Sequence, residues 1–270
     1  MAEEDEEMMM AQGPSPQNSG AVILAIVVLG IIIIGVVVFG SGLGLNIPNF
    51  FGQPAKILII GSPSLNLVSV LNDNKDLASY VIRGEDSLII TPDEILKQYD
   101  IVILDQTNQE SKEISRQLGD SLHEYVQKGG KLMVILDSGI RSKGASDVIG
   151  WEASLGNIMP VKCERTVGDR PSCTVPISLS GRVFRQDFSH QIMLGIEKAP
   201  IEFEPPIFIT TFAITPADGA NQIAYLQDEI TSAYFPAIVE KSFVLGKVIY
   251  FNYDPALTRQ IFTNTIKYLQ

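Results

Sequence analysis

From Lys56 onward the chain alternates short, almost wholly apolar runs with segments in which apolar residues recur every three or four positions. A short apolar run closed by Gly or a charge reads as a strand buried on both faces, and the three-to-four spacing reads as a helix with one buried stripe. On that basis KILIIG (Lys56–Gly61), ASYVIR (Ala78–Arg83), YDIVILD (Tyr99–Asp105) and KLMVILD (Lys131–Asp137) are strands. Between them the spacing predicts a short helix over Leu65–Leu71, a helical turn begun by Pro92 and capped by Thr91, and a longer helix over Ser111–Lys128 stopped by Gly129-Gly130. Such alternation is the pattern of a mainly parallel sheet, with any ligand at the carboxyl ends of its strands.

The second half changes character. Ser146–Leu155 predicts one more helix, after which the strands become short and turn-bounded: TVPISLS, PIFITTFAI, NQIAYLQ, PAIVEKSF and GKVIYFNYD. Segments of this kind pair antiparallel. Pro255–Leu269, with Leu257, Ile261, Ile266 and Leu269 on one side, predicts a closing helix. The fold class expected is α/β: a flavodoxin-like or amidotransferase-like, mainly parallel sheet with a β-rich, partly antiparallel second half.

Residues 21–40 are an unbroken apolar run, AVILAIVVLGIIIIGVVVFG. At about 1.5 Å per residue it matches the roughly 30 Å hydrocarbon layer, so a single transmembrane helix is expected there. The preceding tail has no Lys or Arg, unlike the basic n-region of a signal peptide, which favours a retained anchor. The organisation expected is therefore a disordered acidic tail (1–20), the anchor (21–40), a Gly/Pro/Asn-rich linker (41–55) and an α/β domain (56–270), with the lipid bilayer as the first partner.

Composition narrows the function classes. With 46% hydrophobic residues the chain is no disordered protein, and its net charge of −11 argues against a nucleic-acid partner. Two histidines and two cysteines do not make a recognisable zinc site, and no metal or cofactor is expected. Cys163 and Cys173 bracket a Pro- and Gly-containing stretch that closes easily as a local loop, either as two free thiols or as a disulfide that persists in an oxidising compartment. The absence of any basic residue before Lys56 leaves the positive-inside rule little to weigh, and taken literally it leans towards a cytoplasmic domain; a disulfide between the two cysteines argues the other way, so the expectation is a single-pass protein of the cell membrane with its domain outside the cytoplasm.

The order KILIIG, YDIVILD, KGGKLMVILDSG, LGNIMPV, HQIMLGI and PAIVEKSFVLGKVIYFNYDP resembles the class I glutamine amidotransferase-like superfamily, in particular its ThuA-like and membrane-anchored auxiliary branches, over residues 56–270. The resemblance implies a nucleophilic cysteine on the turn after KLMVILD and a histidine after a late strand. Here those places hold Asp137-Ser138-Gly139 and Asn252-Tyr253-Asp254, so the Cys/His pair is missing.

Other chemistry is conceivable at the strand ends. Ser138 is a candidate nucleophile, with only His123 and His190 as bases, and DSG lacks the full G-x-S-x-G elbow. Asp105 and Asp137 end adjacent strands and suggest a carboxylate crevice joined by Glu85, Asp86 and Asp254, whereas acidic residues at strand ends also serve as caps. Ser62, Asp105, Gln106, Asp137, Ser138 and Asp254 are thus the candidate ligand-binding residues. The function expected first is a non-catalytic, membrane-anchored domain that binds a protein partner or small ligand in the envelope. A hydrolase using Ser138 or the Asp105/Asp137 crevice is the alternative, and an auxiliary subunit of a transporter or envelope complex is another.

Overall fold

The computed structural model describes residues 53–270 apart from 146, 164–165 and 168–169. Four strands open the domain: β1 (Ala55–Gly61), β2 (Ala78–Arg83), β3 (Ile101–Asp105) and β4 (Lys131–Ile135). Six follow: β5 (Ile177–Arg185), β6 (Lys198–Ala199), β7 (Ile207–Thr211), β8 (Asn221–Asp228), β9 (Tyr234–Ser242) and β10 (Lys247–Phe251). Together they make one ten-stranded sheet in the order β6-β5-β8-β9-β10-β4-β3-β1-β2, with β7 also paired to β5.

The pairs β1–β2, β1–β3, β3–β4 and β4–β10 are parallel. All pairs from β10 outward through β9, β8 and β5 to β6 and β7 are antiparallel. The sheet is therefore mixed in nearly equal parts, which corrects the expected mainly parallel flavodoxin-like or amidotransferase-like fold. The physical reason is the path of the late chain: β9 and β10 form a hairpin, and β10 docks in parallel on β4, so the antiparallel strands extend the same sheet. No helix among the described residues is long and apolar enough to cross a membrane. The apolar run 21–40, where the anchor is expected, lies outside the described residues; the described residues form a mixed-sheet domain.

The helices are α1 (Leu65–Asp73), α2 (Pro92–Leu96), α3 (Arg116–Gln127) and α4 (Arg259–Leu269). Ser64 Oγ and Ser115 Oγ cap α1 and α3 by accepting the N–H of Leu67 and Leu118. Thr91 does not cap: it lies in the left-handed region at φ 50° and its side chain makes no capping bond. Helix α3 starts later than its spacing predicts because Glu113-Ile114 pairs with Arg141-Ser142 as a short parallel bridge. The expected helix over Ser146–Leu155 is replaced by 3-10 turns at Trp151–Ala153 and Gly156–Ile158, since Gly150 (φ 127°) and Gly156 (φ 61°) take conformations that an α-helix excludes. The core follows from these pairings. β3 and β4 are buried almost throughout, and α1 meets α4 through Val70, Leu71, Phe262 and Ile266.

Two tethers fix the outer half. Arg182 on β5 is buried, pairs with Glu229 at 2.5 Å, and donates to the carbonyl oxygens of Pro200, Ile201 and Glu204. Cys163 and Cys173 are joined in a disulfide with Cα atoms 5.1 Å apart. Closing a loop of this length limits the unfolded chain by roughly 3 kcal/mol in the chain-entropy model. Cys173→Ser is therefore expected to lower unfolding free energy by roughly 3 kcal/mol in denaturant titrations, and the oxidised chain should show no reactive thiol until a reductant is added. A thiol that titrates in unreduced, unfolded protein would contradict the bond.

Candidate functional site

The carboxyl ends of β1, β3 and β4 converge on Gln106, and that residue organises the site. Its backbone N–H donates to Ser138 Oγ at 2.8 Å. Its side-chain oxygen accepts the Gly139 N–H at 2.8 Å, while its amide nitrogen donates to Glu85 at 3.2 Å and to the Glu113 carbonyl at 3.1 Å. Gly139 has to be glycine here, because it sits at φ 67° and a Cβ would lie 2.7 Å from Leu104. Gln106 and Ser138 are both fully buried.

The turn after β4 has the sharp shape of a nucleophile elbow, but the strained residue is Leu136, at φ 52°. In an elbow the strained residue is the one lifted towards substrate. Here that residue is aliphatic and 5% exposed, and Ser138 lies two positions further on, facing inward. Neither histidine approaches it as a base. His123 bonds to Asn157, and His190 accepts the Ile192 N–H and lies 3.4 Å from Glu240, its ring against Tyr268. Asn252, in the place where the resemblance puts the late histidine, is fully buried and stitches the Phe212 and Pro236 backbones to β10.

The carboxylates are drawn together only in part. Asp105 is 1% exposed and accepts both the N–H and the hydroxyl of Thr107. Burial lifts its pKa to about 6, with the nearby Asp254 adding to the rise and the Thr107 bonds and Lys112 opposing it. Asp137 is also raised, chiefly by burial, against the pull of Lys112 at 3.6 Å. Lys112 in turn donates to the Gln106 and Thr107 carbonyls. Asp254 spends one oxygen capping Ala256. Ser62 contributes only its carbonyl, which accepts the Asn108 N–H. Glu85 and Asp86 are held by Lys143 instead. Among the described residues no group of three or more His, Cys, Asp or Glu side chains is placed to hold a metal ion.

What the sequence did not single out is a cavity of about 420 Å³ beside the elbow. Ile149, Trp151, Met159 and Val161 give it apolar walls; Glu152, Asn157, Lys162, Asp218 and Lys241 give it a polar lining. The Trp151 indole N–H donates to the Ser138 carbonyl at 2.9 Å, and its ring packs edge-on against Tyr250, so the wall of the cavity is braced on the elbow. Lys241 donates to the Asn157 carbonyl at 2.8 Å, and Lys162 pairs with the exposed Asp218 at 3.3 Å. A second cavity of about 510 Å³, lined by Arg116, Asp120, His123 and Lys143 among others, shares Glu152 and Gly156 with the first. The lining comes from well-separated segments with no common motif, so no sequence signal marks it.

No family model and no curated protein matches the chain. Solved structures do. A cold-adapted β-galactosidase from Rahnella sp. R3 is similar at 17% identity and a TM-score of 0.52, over 80% of this chain and 31% of that enzyme. A β-galactosidase from Bacillus circulans sp. alkalophilus is similar at 14% identity and a TM-score of 0.52, over 78% of this chain and 30% of its own. A GH42 β-galactosidase from G. stearothermophilus is similar at 13% identity and a TM-score of 0.51, over 80% of this chain and 30% of the enzyme. At these identities the likeness is one of fold, and the chain spans less than a third of the length of these enzymes. It corrects the glutamine amidotransferase-like, ThuA-like resemblance: the similar structures are glycosidases, and the Leu136 elbow carries no nucleophile.

The raised Asp105 has a measurable signature. A folded pKa of about 6 against 3.8 means that the folded state holds this proton more tightly. The associated stability is fully present below pH 3.8 and is lost as pH rises through 6. At about 1.36 kcal/mol per pH unit the loss is roughly 3 kcal/mol. Asp105→Asn, which keeps an acceptor for Thr107, should flatten that part of the stability–pH curve measured by denaturant unfolding. An unchanged curve would show that folding leaves the Asp105 pKa where it is in the unfolded chain.

Proposed function

We propose that this domain is carbohydrate-active and holds an oligosaccharide in the cavity beside the elbow. The observation that carries the reading is the composition of that cavity: apolar walls suit the C–H faces of a sugar ring, and the polar lining residues suit its hydroxyls. Its volume of about 420 Å³ accommodates a small saccharide, and the adjoining cavity that shares Glu152 and Gly156 extends the space for a longer one. The fold-level likeness to β-galactosidases supports a β-galactoside as the first ligand to try. The Cys163–Cys173 bond supports a site of action in an oxidising compartment outside the cytoplasm. This replaces the reading as an amidotransferase-like domain, and the anchor expected over 21–40 lies outside the described residues. Titration calorimetry of the full chain against β-galactoside oligosaccharides should show binding that weakens at least fivefold in Lys241→Met and in Asn157→Ala. Failure of every such saccharide to bind at millimolar concentration would remove the reading.

A second reading, hydrolysis at the strand-end carboxylates, is favoured by Asp105. A carboxylic acid with a pKa of about 6 is matched to proton donation near neutral pH. Its neighbour Asp137 is the more accessible of the two, with 22% of its side chain exposed, and supplies the second carboxylate of a glycosidase pair. Ser138 has no role in this chemistry: its hydroxyl oxygen accepts the Gln106 N–H, and both histidines are engaged elsewhere. Release of nitrophenol from an aryl β-galactoside should fall at least a hundredfold in Asp137→Asn, with the alkaline limb of the pH profile tracking the loss of the Asp105 proton. Turnover that survives both Asp105→Asn and Asp137→Asn would place the chemistry elsewhere.

A further inference from the structure

The two late hairpins of the sheet point to opposite edges. Residues 229–233 join β8 to β9, and their tip exposes Ile230, at 82%, beside Asp228 and Glu229. Residues 243–246 join β9 to β10, and their tip exposes Val244 at 99% and Leu245 at 64%. The second tip is held out rather than left loose. Phe243 N–H donates to the Gly246 carbonyl at 2.8 Å and closes the turn, and Lys247 N–H donates to the Gly130 carbonyl at 3.2 Å. Gly246 sits so close to the turn after α3 that a Cβ would lie 2.0 Å from the Val126 carbonyl oxygen and 2.7 Å from that of Gly130. An apolar tip on a rigid mount is costly in water and gains by entering an apolar phase.

The charges around this tip differ from those of the chain at large, whose net charge is −11. Lys131 and Lys247 are register partners on β4 and β10, level with Ile101 on β3 and Ile57 on β1, so Lys56 and Lys128 lie at the same edge. The carboxylates there are engaged: Asp100 accepts the Lys56 N–H, Glu124 pairs with Lys128, and Glu240 is buried and accepts from Ser242 and Tyr268. The ammonium groups of Lys56, Lys131 and Lys247 have no ion-pair partner among the described residues. Lys131 donates to the Gly129 carbonyl, and Lys247 to the Tyr268 hydroxyl. Burial and the nearby Lys247 hold the Lys131 pKa below its ordinary value, and an anion placed between the two lysines relieves that repulsion. The chain also enters the domain here. Ala55 begins β1 on this edge, three strand spacings of about 4.8 Å from β10, and residues 41–54 separate it from the apolar run 21–40.

We propose that this edge contacts an anionic lipid bilayer: Val244 and Leu245 enter the boundary between headgroups and acyl chains, and Lys56, Lys131 and Lys247 face the headgroup phosphates. A bilayer fits where a protein does not. Two exposed side chains fall far short of the roughly 800 Å² per partner of a stable protein interface, whereas a narrow apolar tip with a basic rim suits an anionic interface. Residues 41–54 reach about 50 Å at full extension, so a run 21–40 seated in lipid keeps this edge within reach of the same surface. The opposite tip, with Ile230 beside two acids, has no such rim.

The full-length chain reconstituted in vesicles tests this with an environment-sensitive fluorophore on an introduced thiol. The native cysteines are paired with each other, so the new thiol is the reactive one. At Val244→Cys, which alters only an exposed side chain, brominated lipid in mixed phosphatidylcholine and phosphatidylglycerol vesicles should quench the fluorophore at least twofold. The same label at Ile230→Cys should not be quenched. Omitting the phosphatidylglycerol, or adding Lys56→Glu and Lys131→Gln to the labelled chain, should each cut the quenching at position 244 by at least half. If Lys131→Gln fails to fold by circular dichroism, Lys56→Glu and the change of lipid still decide. Absent quenching at 244, equal quenching at 230 and 244, or quenching indifferent to lipid charge and to the lysines would each overturn the contact. A fluorophore at 244 that responds to protein concentration in lipid-free detergent would assign the tip to a second copy and overturn it as well.

Discussion

Everything at the strand ends depends on the buried amide of Gln106. It joins the end of β3 to the turn after β4 through Gly139 and Ser138, and to the 113–114 segment through the Glu113 carbonyl. A buried amide with its donors and acceptor satisfied is a rigid joint, and the same group with one partner missing is a cost of about 1–3 kcal/mol. The turn it braces also carries Trp151 through the Ser138 carbonyl, so the cavity wall stands on the same joint. The site is positioned from inside the protein, by groups that no ligand touches.

That arrangement explains why an elbow-shaped turn does not imply elbow chemistry. Backbone strain at Leu136 is kept, yet the side chain lifted by it is a hydrocarbon. The serine nearby is used as an acceptor for a backbone N–H, which fixes it in place. Two kinds of polar site result. One is a largely buried cluster of carboxylates around Asp105 and Lys112, and the other is the hollow braced by Trp151, whose polar lining is ordered by the Lys241–Asn157 and Lys162–Asp218 contacts.

Much of the local structure was legible in the residues. An apolar run ended by glycine or aspartate marks β1, β3 and β4 because burial on both faces leaves no polar positions inside the strand. The Cys163–Cys173 bond was likewise one of the two readings its spacing left open. What was not legible is long-range. Nothing within GKVIYFNYD states that β10 lies parallel to β4 while running antiparallel to β9, and that choice decides whether the sheet is mainly parallel or mixed. The helix expected over Ser146–Leu155 failed for a local reason, the positive φ of Gly150 and Gly156, which composition alone does not reveal. Asp105 and Asp137 were visible as strand ends, but their enclosure by Thr107 and Lys112 is a property of packing. The cavity is assembled from residues 149–163, 217–218 and 241, and such separated contributions leave no motif.

Arg182 reads its loop through carbonyl oxygens alone, at Pro200, Ile201 and Glu204. A guanidinium that holds backbone rather than side chains is indifferent to which side chains the loop carries. Ile201 and Phe203, both exposed, are therefore displayed on a frame whose shape is set from below. The loop behaves as a fixed mount with exchangeable fittings, so substitutions there alter what the surface presents without altering the course of the chain.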